Sequence, residues 1–304
     1  MSATSFTSLV GCRLPIQLAA LGGVGTPALA TAVAAAGGLG IIPGGSPARV
    51  TASLGQARAS TTGVLGINFL VPFIDPAAVD AAAREAAVVE FFYGDPDPTL
   101  VARAAAAGAI VGWQVGSAAE ARAAVAAGCA YVIAQGTEAG GHVRGTQPLD
   151  QVLAETLEAV AVPVVAAGGI GNRERVVEVM AVGAAAVRIG TRFVAAIEAD
   201  AHPDYVAALV AATASETEIT TVFGADWPDA PHRVLRSAVD AARAHQGATV
   251  ARLGDREIGR FDSMPPTRAT VGDVKAMALY AGLSVDHVLG VRSAGDIVAE
   301  LTDE

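Results

Sequence analysis

The sequence predicts a single (β/α)8 barrel carrying a C-terminal helical or lid-like segment. Two observations predict it. Over the first 195 residues an alanine-rich helical stretch, a glycine and a short apolar run recur at intervals of roughly 20 to 30 residues. Eight such apolar runs can be counted, and they lack strict alternation, as strands covered on both sides require. An open doubly wound sheet has fewer strands and a dinucleotide glycine fingerprint after the first; Leu21-Gly-Gly-Val-Gly-Thr-Pro27 does not complete one.

The predicted strands are Ile16–Ala20, Leu39–Ile42, Val64–Leu70, Val88–Tyr93, Ala109–Val115, Ala130–Gln135, Val162–Ala167 and Ala185–Ile189. Gly37, Gly108, Gly128 and Gly183 each close an alanine-dominated helix, where a left-handed cap costs glycine nothing. Thr26 before Pro27 reads as a helix start, and Ser117-Ala-Ala-Glu120 as a capping box. After Ala199 the pattern breaks into Thr217–Phe223, a stretch holding Trp227, Pro228 and Pro231, and helices near Val234–His245, Val271–Ala281 and Ala294–Leu301.

Composition removes several function classes. The chain has 304 residues, of which 52% are hydrophobic, and a mean hydropathy of +0.47, but alanine supplies most of that excess. The longest uncharged stretch, Leu14–Ala48, is broken by prolines, among them Pro15, Pro27 and Pro43, and by several glycines, and cannot form one membrane-spanning helix. The first ten residues lack the charged start of a secretory signal, so a cytoplasmic protein with no membrane partner is expected. Cys12 and Cys129 are too few for a disulfide framework and have no metal-ligand spacing, and no metal site is predicted. A net charge of −10 without a basic cluster argues against nucleic acid.

In a barrel of this kind chemistry gathers just after each strand's C-terminal end. Gly168-Gly169 and Gly190-Thr191 close the last two strands, where exposed backbone N–H groups bind phosphate, so a phosphorylated ligand is expected. Asn68, Gln114 and Gln135 are neutral amides at strand ends, suited to a flavin ring edge or ribityl chain, or to a satisfied rim. His142 ends the longest inter-strand connection behind Gly140-Gly141, a hinge that allows close approach, and is the candidate acid–base residue. His202, His232, His245 and His287 read as surface or capping residues. Glu138, on the same loop, either orients His142 or faces solvent. Arg188 is unusual in a buried strand; it pairs with a carboxylate in the helix layer or reaches the site.

Gln135-Gly-Thr-Glu-Ala-Gly-Gly-His142, Ala166-Ala-Gly-Gly-Ile170 and Ile189-Gly-Thr-Arg-Phe193 together resemble the nitronate monooxygenase family, formerly called 2-nitropropane dioxygenases. Pro15-Ile-Gln17, Ala36-Gly-Gly-Leu-Gly40, Gly66-Ile-Asn68, Glu198 with His202 and Tyr205, Arg233-Val-Leu-Arg236 and Met277-Ala-Leu-Tyr-Ala-Gly282 extend the resemblance over nearly the whole chain. It implies FMN in the barrel, with His142 beside the flavin. It also implies flavin contacts from Asn68, Gln114, Gln135, Gly140, Gly169, Gly190 and Thr191, together with Ala20, Leu21, Ala139 and Gly168.

The implied reaction is oxidation of an alkyl nitronate by O2 to a carbonyl compound and nitrite, with a related FMN-dependent NAD(P)H reductase of enoyl thioesters or quinones as the alternative. Its partners would be the small-molecule substrate and O2, and homo-oligomerisation is left open. On this reading residues 1–215 form the FMN-binding core, 216–270 an inserted lid-like segment, and 271–304 C-terminal helices packing back on the barrel. Two positions depart from the family: Ala19-Ala20 stands where Pro-Met is usual, and Leu283 where a polar residue often follows Ala-Gly. Both bear on substrate choice and leave FMN binding intact, because backbone groups serve at the first.

Overall fold

The computed structural model describes residues 3–303; Met1, Ser2 and Glu304, at the ends of the ranges read from sequence, lie outside it. Its first part alternates helix and strand: α1 (Ser5–Val10), β1 (Ile16–Leu18), α2 (Pro27–Ala35), β2 (Gly40–Pro43), α3 (Pro47–Arg58), β3 (Leu65–Leu70), α4 (Pro76–Glu85), β4 (Val88–Phe92), α5 (Pro98–Ala105), β5 (Ile110–Val115), α6 (Ala118–Ala126) and β6 (Tyr131–Gln135). There follow a two-residue strand β7 (Gly141–His142), α7 (Leu149–Ala159), β8 (Val164–Ala167), α8 (Arg173–Val182), β9 (Ala186–Ile189), the short α9 (Thr191–Val194) and α10 (Pro203–Ala211). The remainder contains β10 (Thr217–Thr220), β11 (His232–Leu235), α11 (Arg236–Ala244), β12 (Thr249–Leu253), β13 (Arg256–Gly259), β14 (Thr270–Gly272) and α12 (Ala294–Thr302).

All eight strands expected from the apolar runs form one parallel sheet in the order β1-β9-β8-β6-β5-β4-β3-β2. A bridge between Gln17 and Leu39, with the Leu18 N–H donating to the Leu39 carbonyl at 3.0 Å, joins its two edges into a barrel. Strand β1 stops at Leu18, short of the predicted Ala20, because the chain turns immediately; the Gly25 N–H reaches the Leu21 carbonyl at 2.6 Å.

The predicted helix signals are present. Thr26 caps α2 by accepting the Leu29 N–H, and Gly37, Gly108, Gly128 and Gly183 all have positive φ. Ser117 caps α6, but the Glu120 carboxylate accepts from the Gly116 N–H rather than closing the box on Ser117, because Arg144 also draws it at 2.7 Å.

Strand alternation divides the barrel residues between two cores. Val89, Phe91, Val111, Trp113, Val132, Ala134, Val187 and Ile189 face outward into the helix layer. Leu39, Ile41, Val88, Tyr131, Ile133, Val165 and Ala186 fill the interior, and Phe6 of α1 closes the N-terminal end against Tyr131 with ring centroids 5.2 Å apart. Tyr131 fits only because Gly112 faces it from the neighbouring strand; a Cβ there would lie 2.3 Å from the ring.

The C-terminal part has its own core, centred on Tyr205, Phe223, Val234, Leu235, Val239, Met277 and Leu279. The expected helix over Val271–Ala281 does not form. Thr270–Gly272 pairs with β12 instead, at a Gly272 whose φ is +139°, and Val274–Ala276 makes one 3-10 turn. The buried Met277–Gly282 then runs extended, its Leu279 carbonyl accepting from Leu235 N–H and its Ala281 N–H donating to the Arg233 carbonyl. Likewise the helix expected from Val234 begins at Arg236, because His232–Leu235 is claimed by β10 and β7.

Substituting Gly112 by Ala drives a methyl group into the Tyr131 ring. The expected cost is about 1–3 kcal/mol, read as a lower urea midpoint with unchanged slope.

Candidate active site

The interior face of the barrel becomes polar toward the C-terminal ends of the strands. Gln17, Asn68, Glu90, Gln114, Gln135 and Arg188 are all buried, and all share the inward parity of the strands that carry them. Glu90, with no exposed surface, organises the floor of this layer. One carboxylate oxygen accepts from the Gln17 amide and the Tyr131 hydroxyl, and the other from Arg188 Nη1 at 2.8 Å and Asn68 Nδ2 at 3.4 Å. Arg188 therefore does both things the sequence suggested: it pairs with a carboxylate, inside the barrel rather than in the helix layer, and it lines the site. Burial and the neighbouring Glu90 charge push the Tyr131 hydroxyl far above its ordinary range, so it stays a proton donor.

Above this floor lies a cavity of about 580 Å³. His142, Ala20, Leu21, Asn68, Gln114, Gln135, Ala139, Gly140, Gly168, Gly169, Gly190 and Thr191 all line it, so His142 and the expected flavin-contact residues meet at one place, whereas Glu138 does not line it. They are not equally available. Gln135 spends its amide on its own loop, donating to the His142 carbonyl at 3.0 Å and accepting from the Arg144 N–H. The Thr191 hydroxyl accepts the Gly282 N–H at 3.0 Å. Gln114 makes no side-chain hydrogen bond among the described residues and offers both ends of its amide to the cavity.

The His142 loop is held from three sides. Gly140 packs on the chain at Ala281–Gly282, where a Cβ would lie 2.5 Å from the Gly282 nitrogen. Gly141 sits at φ +76° and pairs with Arg233, whose guanidinium bonds to the Thr137 carbonyl at 2.9 Å. Glu138 neither orients His142 nor faces away; its carboxylate accepts the Leu149 N–H at the start of α7.

Sequence reasoning missed the surroundings of His142. Trp227 stacks on the imidazole with centroids 4.0 Å apart, and Tyr93, His232 and Tyr280 complete a ring of aromatic neighbours at 5.3 to 5.8 Å. Trp227 was visible as one of two tryptophans, placed in a proline-rich loop. His232 had no such signal, and its reading as a surface or capping residue is corrected: it is fully buried. Its Nε2 accepts the Phe223 N–H, which leaves Nδ1 to donate to the Ala230 carbonyl at 2.8 Å, so the ring is fixed in one neutral form. His202 and His245 keep quieter roles, capping α10 and pairing with Asp273.

Burial, reinforced by His232 and only partly opposed by Asp226, lowers the His142 pKa to about 3. Its Nε2 is buried and without a partner among the described residues, and the imidazole itself lines the cavity. Apolar side chains of Phe69, Leu70, Phe73, Phe92, Met264 and Pro265 also line the cavity, as do the exposed Arg49 and Arg256. Arg256 pairs with Asp262, whereas Arg49 has no ion pair among the described residues. No group of three or more metal-ligating side chains occurs among the described residues, nor any helix long and apolar enough to cross a membrane.

A family model described as nitronate monooxygenase matches residues 3–87 and 77–304. The nitronate monooxygenase of Pseudomonas aeruginosa is 30% identical over an alignment covering 81% of this chain and 89% of that protein. A (3aS,4S,5R,7aS)-5-hydroxy-7a-methyl-1-oxo-octahydro-1H-indene-4-carboxyl-CoA dehydrogenase of Mycobacterium tuberculosis is 32% identical, covering 86% of this chain and 74% of that one. The structure of FabK from Thermotoga maritima superposes with a TM-score of 0.82 at 28% identity, covering 100% of this chain and 96% of that chain.

The unfolded reference pKa of histidine is near 6.5 and the folded value for His142 is about 3. Below about pH 6.5 the unfolded chain takes up a proton that folded His142 refuses, so this group makes stability fall as pH falls. The expected slope is about 1.4 kcal/mol per pH unit between pH 6 and 4. His142→Phe should reduce that slope in denaturation curves, and imidazole NMR signals of His142 should not titrate between about pH 8 and 5.

Proposed function

Because the chain belongs to the nitronate monooxygenase family and is a flavin-dependent oxidoreductase, we propose that its cavity holds FMN and oxidises alkyl nitronates with O2 to a carbonyl compound and nitrite. The observation that carries this reading is His142: a neutral imidazole, its Nε2 without a partner among the described residues, lining a cavity whose floor and rim suit a flavin. The residues present fit such a group. The volume is that of a cofactor-sized site, and amide and guanidinium donors from Asn68, Gln114 and Arg188 line its deep side. The rim at Gly168-Gly169 has φ of +115° and +68°, and a Cβ on Gly169 would come within 2.9 Å of Glu138 Cβ, so this turn keeps its backbone open for a phosphate.

Bound FMN would supply the electron acceptor that couples the organic substrate to O2. The chain's own residues do the rest. Neutral His142 accepts a proton from the carbon beside a nitro group; when an anionic nitronate arrives, the negative charge favours the protonated ring and makes it a hydrogen-bond donor. Trp227 and Tyr280 fix the ring plane and keep bulk water from it. Phe69, Leu70 and Phe92 supply an apolar passage for an alkyl chain.

The alternative, an FMN-dependent reductase that uses NAD(P)H on a thioester or quinone, draws support from the exposed Arg49 that lines the cavity and from the CoA-linked relative. Anaerobic mixing separates the two. Flavin absorbance lost with propyl-2-nitronate but not with NADH or NADPH supports the first reading; rapid bleaching by a nicotinamide supports the second; no flavin uptake after reconstitution with FMN removes both.

His142→Ala should retain yellow FMN and lose turnover by about 10²-fold or more, the scale of a positioned proton-transfer group. Turnover within a few-fold of the parent would take His142 out of the mechanism.

A further inference from the structure

We propose that Arg188, anchored from below by Glu90, is the group that stabilises negative charge on the reduced flavin, so that the Glu90–Arg188 pair sets the cofactor's electron affinity. The inference rests on the reading of the cavity as a flavin site.

Three observations lead to it. Arg188 is 6% exposed, its guanidinium lines the cavity, and its one hydrogen bond among the described residues runs from Nη1 to Glu90. Nε and Nη2 are therefore not consumed by the protein, although an arginine this deep normally has its donors satisfied. Glu90, by contrast, has four donors on two oxygens and no exposure, and it does not line the cavity. The pair is thus oriented, with its negative end sealed in the barrel and its positive end presented to the ligand.

Fixing strand register does not require that the arginine's remaining donors be left unpaired beside the cavity. Burying two charges costs several kcal/mol, and an apolar pair would fill the barrel as well. The arrangement instead suits a ligand that gains charge. A bound flavin would gain negative charge on its ring system as it takes up electrons, and a fixed cation with free N–H groups would favour that state. Among the described residues that line the cavity, Arg49 and Arg256 are exposed and His142 has a strongly lowered pKa, which leaves Arg188 as the buried permanent cation.

The test reads the flavin without turnover. Sulfite adds through its sulfur lone pair to the oxidised ring, places an electron pair there, and so reports the same anionic charge. Flavin occupancy is measured first, then sulfite is titrated. Arg188→Gln should weaken sulfite binding by about tenfold or more, the scale of one charge removed across a medium of effective dielectric about 20. Glu90→Gln leaves the cation unbalanced and should tighten sulfite binding by about threefold or more.

The double variant Arg188→Gln/Glu90→Gln keeps the shape and neutrality of the floor if either single variant folds poorly, and should still bind sulfite about fivefold or more weakly. Sulfite affinity within about twofold of the parent in Arg188→Gln, or in the double variant, would overturn the inference while leaving FMN in the cavity. So would weakening in Glu90→Gln equal to that in Arg188→Gln, since a merely structural pair fails alike from either end. A parent protein that takes up no FMN would overturn the inference together with the reading beneath it.

Discussion

The buried carboxylate of Glu90 is the interaction on which the barrel's polar layer depends. It gathers donors from four other strands, reaching Gln17 on β1, Asn68 on β3, Tyr131 on β6 and Arg188 on β9. A closed barrel requires its strands to keep register, and a shift of one residue would turn every interior side chain outward. Apolar interior residues tolerate such errors poorly but not specifically. A carboxylate that must find four particular donors tolerates only one register.

That requirement explains the small residues around it. Tyr131 can deliver its hydroxyl to Glu90 only if the neighbouring strand offers Gly112 at the same level. Phe6 then closes the barrel in an edge contact with Tyr131. The N-terminal helix, the glycine and the hydroxyl form one packed unit, and the polar layer it supports becomes the floor of the cavity.

Much of this was legible in the sequence, for identifiable reasons. Strand runs and helix-capping glycines are local signals, so all eight barrel strands appear within a few residues of their predicted places. The strand-end amides and the glycine turns were found because the barrel's geometry sends those positions to one face. What could not be read was long-range: the partner of Arg188 is 98 residues away, and nothing near either residue announces the other. The C-terminal part failed for the same reason. Met277–Gly282 is apolar enough for a helix, and only its pairing with β11 makes it extended. His232 looked ordinary because its burial comes from that second core, which sequence periodicity does not reveal.

The two cores together give the site its electrostatic character. The barrel contributes a cation whose charge is balanced from below, and the C-terminal core contributes an aromatic enclosure that strips water from His142. Neither alone makes the proposed acid–base site. An exposed His142 would be partly protonated near neutral pH and would hold its proton before substrate arrived. Enclosed by Trp227, Tyr280 and a His232 locked in its neutral form, it carries no charge near neutral pH. Asp226, at the cavity wall, is the one nearby carboxylate pulling the other way, and it is itself held by the Ser263 N–H and hydroxyl at 2.9 Å. The imidazole is therefore uncharged near neutral pH, which is the property the proposed proton acceptor needs.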